Sequence, residues 1–167
     1  MPYYDIVLDS FEFTDKFAER LGFKHIYRIN EKSANDGVLG INNNPNELIS
    51  MVRKGARAVI IDDFTIDRKL IAEMNDKNCM LLLPMHSIIS KTGFALTRAI
   101  YKARMLLLYV DSKDIDIAIC SYAGSMEFMN SRTQLDALCK MIGLTDKMIK
   151  ECLCNNNKLL GDIIGKD

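Results

Sequence analysis

The stretch AVIIDDFTIDRKLIAEMNDKNCMLLLP, from Ala58 to Pro84, decides the fold. Its two ends, Ala58 to Ile61 and Cys79 to Leu83, are apolar at every position. A strand with one face in water alternates apolar and polar residues. These two therefore predict strands covered on both faces, as in a parallel sheet between layers of helix. Between them Ile66, Leu70, Ile71 and Met74 recur at helical spacing and supply the crossover that a parallel pair requires. Asp62 and Asp63 close the first strand, and Pro84 closes the second.

The alternation continues upstream. Tyr4 to Leu8 predicts a first strand, and Phe13, Phe17, Ala18 and Leu21 a helix stopped by Gly22. Phe23 to Ile29 and Gly37 to Ile41 predict two more strands. Asn44-Pro45-Asn46-Glu47 then opens a helix: Asn44 as cap, Pro45 at the first position, Glu47 reaching back to the cap amide. Leu48, Ile49 and Val52 form its buried stripe, and Gly55 ends it.

Downstream, Leu96, Ala99, Ile100 and Ala103 mark a helix, and Met105 to Val110 and Ile115 to Cys120 predict strands. About four residues separate these last two, where a parallel crossover needs about a dozen. Either a helix has been lost between them or one is not a strand. Ser131-Arg132-Thr133-Gln134 fits a capping box, followed by Leu135, Leu138 and Ile142, with Gly143 as the stop. Thr145 caps a further helix carrying Met148, Ile149, Cys152 and Leu153. Asn155-Asn156-Asn157 is expected to end it, before a short last turn through Leu159, Leu160, Ile163 and Ile164.

Repeated β/α units build an open doubly wound sheet or a closed barrel. A full barrel takes about 250 residues. With 167, the expectation is an α/β fold of parallel β/α repeats forming a reduced or irregular TIM-like barrel, one domain over residues 1–167.

Composition narrows function mostly by exclusion. The chain is 49% hydrophobic and 26% charged, ordinary for a globular protein. No apolar run reaches the ~18–20 residues that cross a bilayer, and the first ten residues do not resemble a signal peptide. Five cysteines without paired spacing point to a reducing compartment, so a cytoplasmic protein is expected. Two histidines, His25 and His86, cannot furnish a histidine-rich metal centre, and the cysteines lack further ligands for zinc. No Gly-x-x-x-x-Gly-Lys, Gly-x-Gly-x-x-Gly or Gly-x-Ser-x-Gly motif is present. Neither cofactor, resident metal nor catalytic residue is predicted.

Lys+Arg and Asp+Glu number 22 each, which rules out a uniformly basic coat. The charges are nonetheless uneven. From Lys77 to Val110 stand Lys77, Lys91, Arg98, Lys102 and Arg104, with no acid among them. Arg98 and Lys102 share a helix face and Lys91 precedes that helix, an arrangement that can neutralise phosphates or simply face solvent. In parallel α/β folds function gathers at strand C-terminal ends. Here these are Asp9, Asp62, Asp63, His86, Asp111 and Ser121. Asp9, Asp62, His86 and Asp111 around a divalent ion would make a small metal-dependent hydrolase. The turn Ser121-Tyr122-Ala123-Gly124 has small residues that bring backbone amides near a phosphate or another small ligand.

Several of these pieces together resemble the archaeal ribonuclease P protein component 3 family. The last third carries most of it: Ser121-Tyr122-Ala123-Gly124 after a strand, a capped helix with Leu135, Ala137 and Leu138, Gly143-Leu144, a helix ending in Asn156, and Leu159-Leu160. Upstream, Asp67-Arg68, Leu81-Leu82-Leu83, Pro84, His86 and Leu96-Thr97-Arg98 resemble further family stretches. Asn157 stands where the family has Pro. Asn130-Ser131-Arg132 stands where it has Arg-Ser-Pro, which moves the candidate arginine to Arg132. The resemblance implies an irregular TIM-like barrel without the metal-binding histidines of its superfamily. It implies a non-catalytic subunit that pairs with ribonuclease P protein component 2 and supports ribonuclease P RNA in removing the 5′ leader of precursor tRNA. On that reading Lys91, Arg98, Lys102 and Arg104 contact RNA or partner, with Ser121 and Arg132 behind them. The chain is shorter than is usual for the family, and the lost helix near Val110 is where the shortening is expected.

Overall fold

A computed structural model of the chain describes residues 4–8, 12, 14–29, 38–42 and 44–164. Its elements in chain order are β1 (Tyr4–Leu8), α1 (Asp15–Arg20), β2 (His25–Ile29), β3 (Leu39–Ile41), α2 (Pro45–Arg53), β4 (Ala58–Ile60), α3 (Arg68–Asp76), β5 (Met80–Pro84), α4 (His86–Ile89), α5 (Gly93–Asp111), β6 (Ile117–Cys120), α6 (Arg132–Met141) and α7 (Asp146–Ile164). A 3-10 turn, Met126–Phe128, precedes α6. The ladders are parallel: β1 with β2, and β3, β4, β5 and β6 side by side in that order. Phe13 and Gly37, expected in a helix and a strand, lie outside the described residues.

Two apolar clusters, one on each side of the strands, explain why the central strands carry no polar residue. Ala58 and Ile60 of β4, Met80 and Leu82 of β5, and Ala118 and Cys120 of β6 meet Ile6, Ile29 and Leu39 from the other three strands. The intervening Val59, Leu81, Leu83, Ile117 and Ile119 face the opposite way. They pack on helix residues that include Leu48, Leu70, Met74, Leu106 and Val110. Side chains alternate across a strand, so burial of both faces demands an apolar residue at every position.

Met105 to Val110 is not a strand. It is the last third of the 19-residue helix α5. Ala99, Ala103, Leu106, Leu107 and Val110 face the core at helical spacing, while Met105 and Leu108 are exposed. A continuous apolar run does not by itself distinguish helix from strand, and leucine is a strong helix former. The correction removes the crossover problem. The chain leaves β5, climbs α4 and α5, and returns parallel as β6, with Leu81 beside Ile117. No helix is missing near Val110.

The three asparagines do not end the last helix, which runs on to Ile164. Asn155 and Asn156 are buried against the outer edge of β6. The Ile119 amide donates to Asn156 Oδ1 at 3.0 Å, and Asn156 Nδ2 donates to the carbonyls of Ile119 at 2.6 Å and Tyr4 at 3.1 Å. Asn155 Nδ2 donates to the Ile117 carbonyl at 2.9 Å. An exposed strand edge leaves amides and carbonyls unpaired. Here helix side chains pair them, and Asn156 links β6 to β1.

The expected caps are largely in place. Asn44 accepts from the Asn46 amide at 3.0 Å; a cap that was not expected, Asp67, accepts from Lys69 and Leu70, each at 2.9 Å. Ser131 and Gln134 form the reciprocal box, and Thr145 accepts from the Met148 amide. Glu47 departs from expectation: Asn42 takes both its carboxylate and the Asn44 amide. All five cysteines are free. Burial pushes the thiols of Cys79, Cys139 and Cys152 up to about 12, so they stay protonated. Among the described residues, no helix is long and apolar enough to cross a membrane.

Candidate functional site

The chain leaves β4 through a tight turn, Asp62 to Thr65. Phe64 adopts φ +55° there and is buried. A bulky residue in the left-handed region costs on the order of 1–2 kcal/mol. The turn keeps this conformation because Phe64 fills the core while both aspartates point outward. The Asp63 carboxylate accepts from the amide of Thr65 at 3.0 Å and from its hydroxyl. Partial burial opposes ionisation of Asp63, but the Thr65 bonds and the nearby Lys102 ammonium outweigh it and hold the carboxyl below its usual range.

At the neighbouring strand end the β5–β6 ladder runs past the strands. The Met85 and His86 amides donate to the carbonyls of Cys120 and Ser121, each at 2.9 Å. This fixes the start of α4. Ser87 Oγ then donates to Asp62 Oδ1 at 2.7 Å, which joins the two strand ends. His86 is half-buried, its ring 4.9 Å from that of Phe128.

α5 begins directly afterwards and brings the cations. A cavity of about 460 Å³ lies between the β4 turn, α4 and the first half of α5, lined among others by Asp62, Asp63, His86, Lys91, Arg98 and Lys102. Lys102 Nζ donates to the Asp63 carbonyl at 3.3 Å. Three of the basic residues singled out in the sequence thus converge on one site at the strand C-terminal ends.

The other candidates do not join it. Arg104 is six residues beyond Arg98 and so on another helix face; it lies against the Gly143 turn. Ser121 is fully buried, its amide donating to Asp5 Oδ1 at 2.8 Å, and offers no surface. Arg132 sits on α6, its side chain 19% exposed and paired with Asp136 at 3.0 Å. The metal-hydrolase constellation does not assemble either. Asp62 follows the C-terminal end of β4, whereas Asp111 lies before the N-terminal end of β6, the opposite end of a parallel sheet. Asp9 lies outside the described residues. Among the described residues, no group of three or more His, Cys, Asp or Glu is placed to hold a metal ion. No protein-family model matches the chain, and no curated protein matches its sequence.

Two features escaped the sequence reading. Phe94 and Tyr101 of α5 are 83% and 64% exposed. Phe94, Arg98 and Lys102 are four apart and share one face, with Tyr101 beside it. Exposed aromatics in a run of bases were the available signal. The second feature is Asp5, fully buried in β1. Its Oδ1 also accepts from the Ile6 amide at 2.9 Å. Burial pushes its carboxyl up to about 6, against the opposing pull of the hydrogen bonds from Ser121 and Ile6. An ionisable residue inside a strand otherwise fit for the core was the clue.

Proposed function

We propose that the chain is a non-catalytic subunit of ribonuclease P in the cytoplasm, of the protein component 3 kind. It contacts ribonuclease P RNA, pairs with component 2, and meets precursor tRNA only through that assembly. The reading joins the sequence resemblance to one observation: Lys91, Arg98 and Lys102 gather at one cavity. Exposed Phe94 and Tyr101 on the same helix support it, because aromatics beside cations are the usual equipment for unpaired RNA. The chemistry then belongs to the RNA, and this chain contributes charge and a stiff mount.

The reading includes an irregular TIM-like barrel. Its support is the inner cluster shared by the six strands of the described residues, together with Asn156 spanning from β6 to β1.

The test is filter binding of labelled ribonuclease P RNA to the purified chain at salt concentrations from about 50 to 200 mM. Each phosphate contact contributes about 0.7–0.9 to the slope of log affinity against log salt. Replacing Lys91 and Arg98 together by Ala therefore flattens the slope by about 1.5 and weakens binding severalfold. A folded double variant with unchanged affinity and slope refutes the assigned contact. A pull-down from native extract reads the assembly: ribonuclease P RNA with component 2 is the expected catch, and neither of them sinks the reading.

A further inference from the structure

A cation patch for a duplex backbone needs neither concavity nor acids, and this site has both. The site is an open cleft, and its volume, about 460 Å³, falls within the range of roughly 300–1,000 Å³ common to small-ligand clefts. Its polar groups carry both signs. Lys91 and Arg98 stand by the first turns of α5, where no acid is present and no side chain caps the helix. These two cations favour a phosphate. At the strand ends Asp62 is held by Ser87 and presents acceptor capacity, and Lys102 stands beside Asp63. Phe64 and Ala99 supply apolar lining.

We infer that the cavity takes one nucleotide with an amino-bearing base, its phosphate on Arg98 and Lys91 and its exocyclic amine on Asp62. The inference rests on the reading of this rim as an RNA contact and deepens it by naming what enters: a nucleotide turned out of a single strand. A carboxylate accepts from the N4 amine of cytosine or the N6 amine of adenine. It meets the O4 of uracil acceptor to acceptor. The site is therefore selective against uracil, and a closed duplex, whose bases are not turned outward, does not fill it. Phe94, on the face of Arg98, offers the adjoining base a surface to stack on.

Cytidine and uridine 5′-monophosphates isolate the key contact, because their phosphates and sugars are identical. Calorimetric titration of the full chain is expected to show the cytidine form binding about tenfold more tightly, the scale of one specific base contact. Asp62→Asn presents an amide N–H₂ that donates to O4, so it abolishes or reverses the preference. Arg98→Ala weakens both nucleotides by the same factor. Thermal melts establish that both variants fold. Oligomers of C, oligomers of U and a blunt RNA duplex form a second arm. Tighter binding of the C strand than of the free nucleotide, with the duplex weakest, identifies RNA as the source. Equal binding of the two monophosphates, absence of binding by either at millimolar concentration, or an unchanged preference in Asp62→Asn overturns the inference. If ribonuclease P RNA still binds through Lys91 and Arg98, only the nucleotide site falls. If that RNA fails to bind while the cytosine preference holds, the ribonuclease P reading falls and a nucleotide site remains.

Discussion

Asp5→Asn puts the buried carboxylate of β1 to a quantitative test. In the folded chain its pKa stands at about 6, against the ordinary 3.8. A raised folded-state pKa means that the native protein holds a proton which the unfolded chain releases. The contribution to stability is fully present below about pH 4 and is lost as pH rises through 6. A gap of roughly two units corresponds to about 3 kcal/mol. The asparagine carries no charge, and its Oδ1 keeps the amides of Ile6 and Ser121. Its Nδ2 replaces Oδ2, which is buried without a partner. Below about pH 4 the native carboxyl carries its proton on that same oxygen, so both proteins bury one unpaired donor there and start near parity. The stability difference between the two proteins should therefore swing by about 2.5 kcal/mol in favour of the variant between about pH 4 and pH 7.5. Urea unfolding of both at closely spaced pH values measures it, because the other acids titrate alike in both chains and cancel. A difference that stays flat across that range refutes the account of Asp5.

Asn156→Ala removes the partner of three backbone groups at once, the amide and carbonyl of Ile119 and the carbonyl of Tyr4. Equilibrium unfolding should read a loss of about 3 kcal/mol or more, against well under 1 kcal/mol for an exposed Asn. A neutral result would remove α7 as the keeper of that edge. Leu107→Ala and Leu108→Ala separate the helix at 93–111 from the strand expected there. Leu107 is buried and Leu108 is 57% exposed, so the first should cost about 2–5 kcal/mol and the second about 0.5 or less. Equal losses would contradict the helical facing.

The physics of burial decided which elements were legible. Val59-Ile60-Ile61 and Leu81-Leu82-Leu83 were readable because a strand covered on both faces has few alternatives once turn residues bound it. The caps at Asn44 and Ser131 were readable because they act within a few residues of chain. Met105 to Val110 misled because an apolar run says that it is buried without saying how it is wound. Asn155 to Asn157 misled for a different reason. Asparagine disfavours helix interiors through competition with the backbone, and here that same capacity is turned on the edge of β6, a partner no local reading contains. At the site, Lys91, Arg98 and Lys102 followed from charge and spacing. Arg104 does not line the cavity with them, because helix geometry puts it on another face.

The cavity depends on little of the fold, which bears on what the remaining strands do. Its walls come from the β4 turn, α4 and α5, two consecutive β/α units whose strands are hydrogen-bonded neighbours. Its rigidity comes from the β5–β6 ladder continuing to His86 and from the Ser87 bond to Asp62. Neither requires β2 to meet β3, so the site is the same whether or not the strands close into a ring. The role of β1 lies elsewhere. It reaches β6 through Asp5 to Ser121, through the Ile6 carbonyl to the Tyr122 amide, and through Asn156. Two of these three links use buried polar side chains where an apolar contact would hold with less cost. Polar links fix direction and register, which apolar contacts leave loose. Asp5 accepts from the amide of Ser121, the residue whose carbonyl accepts from the His86 amide. β1 thus steadies the rear of the site from outside it, and the buried carboxylate is the joint through which it does so.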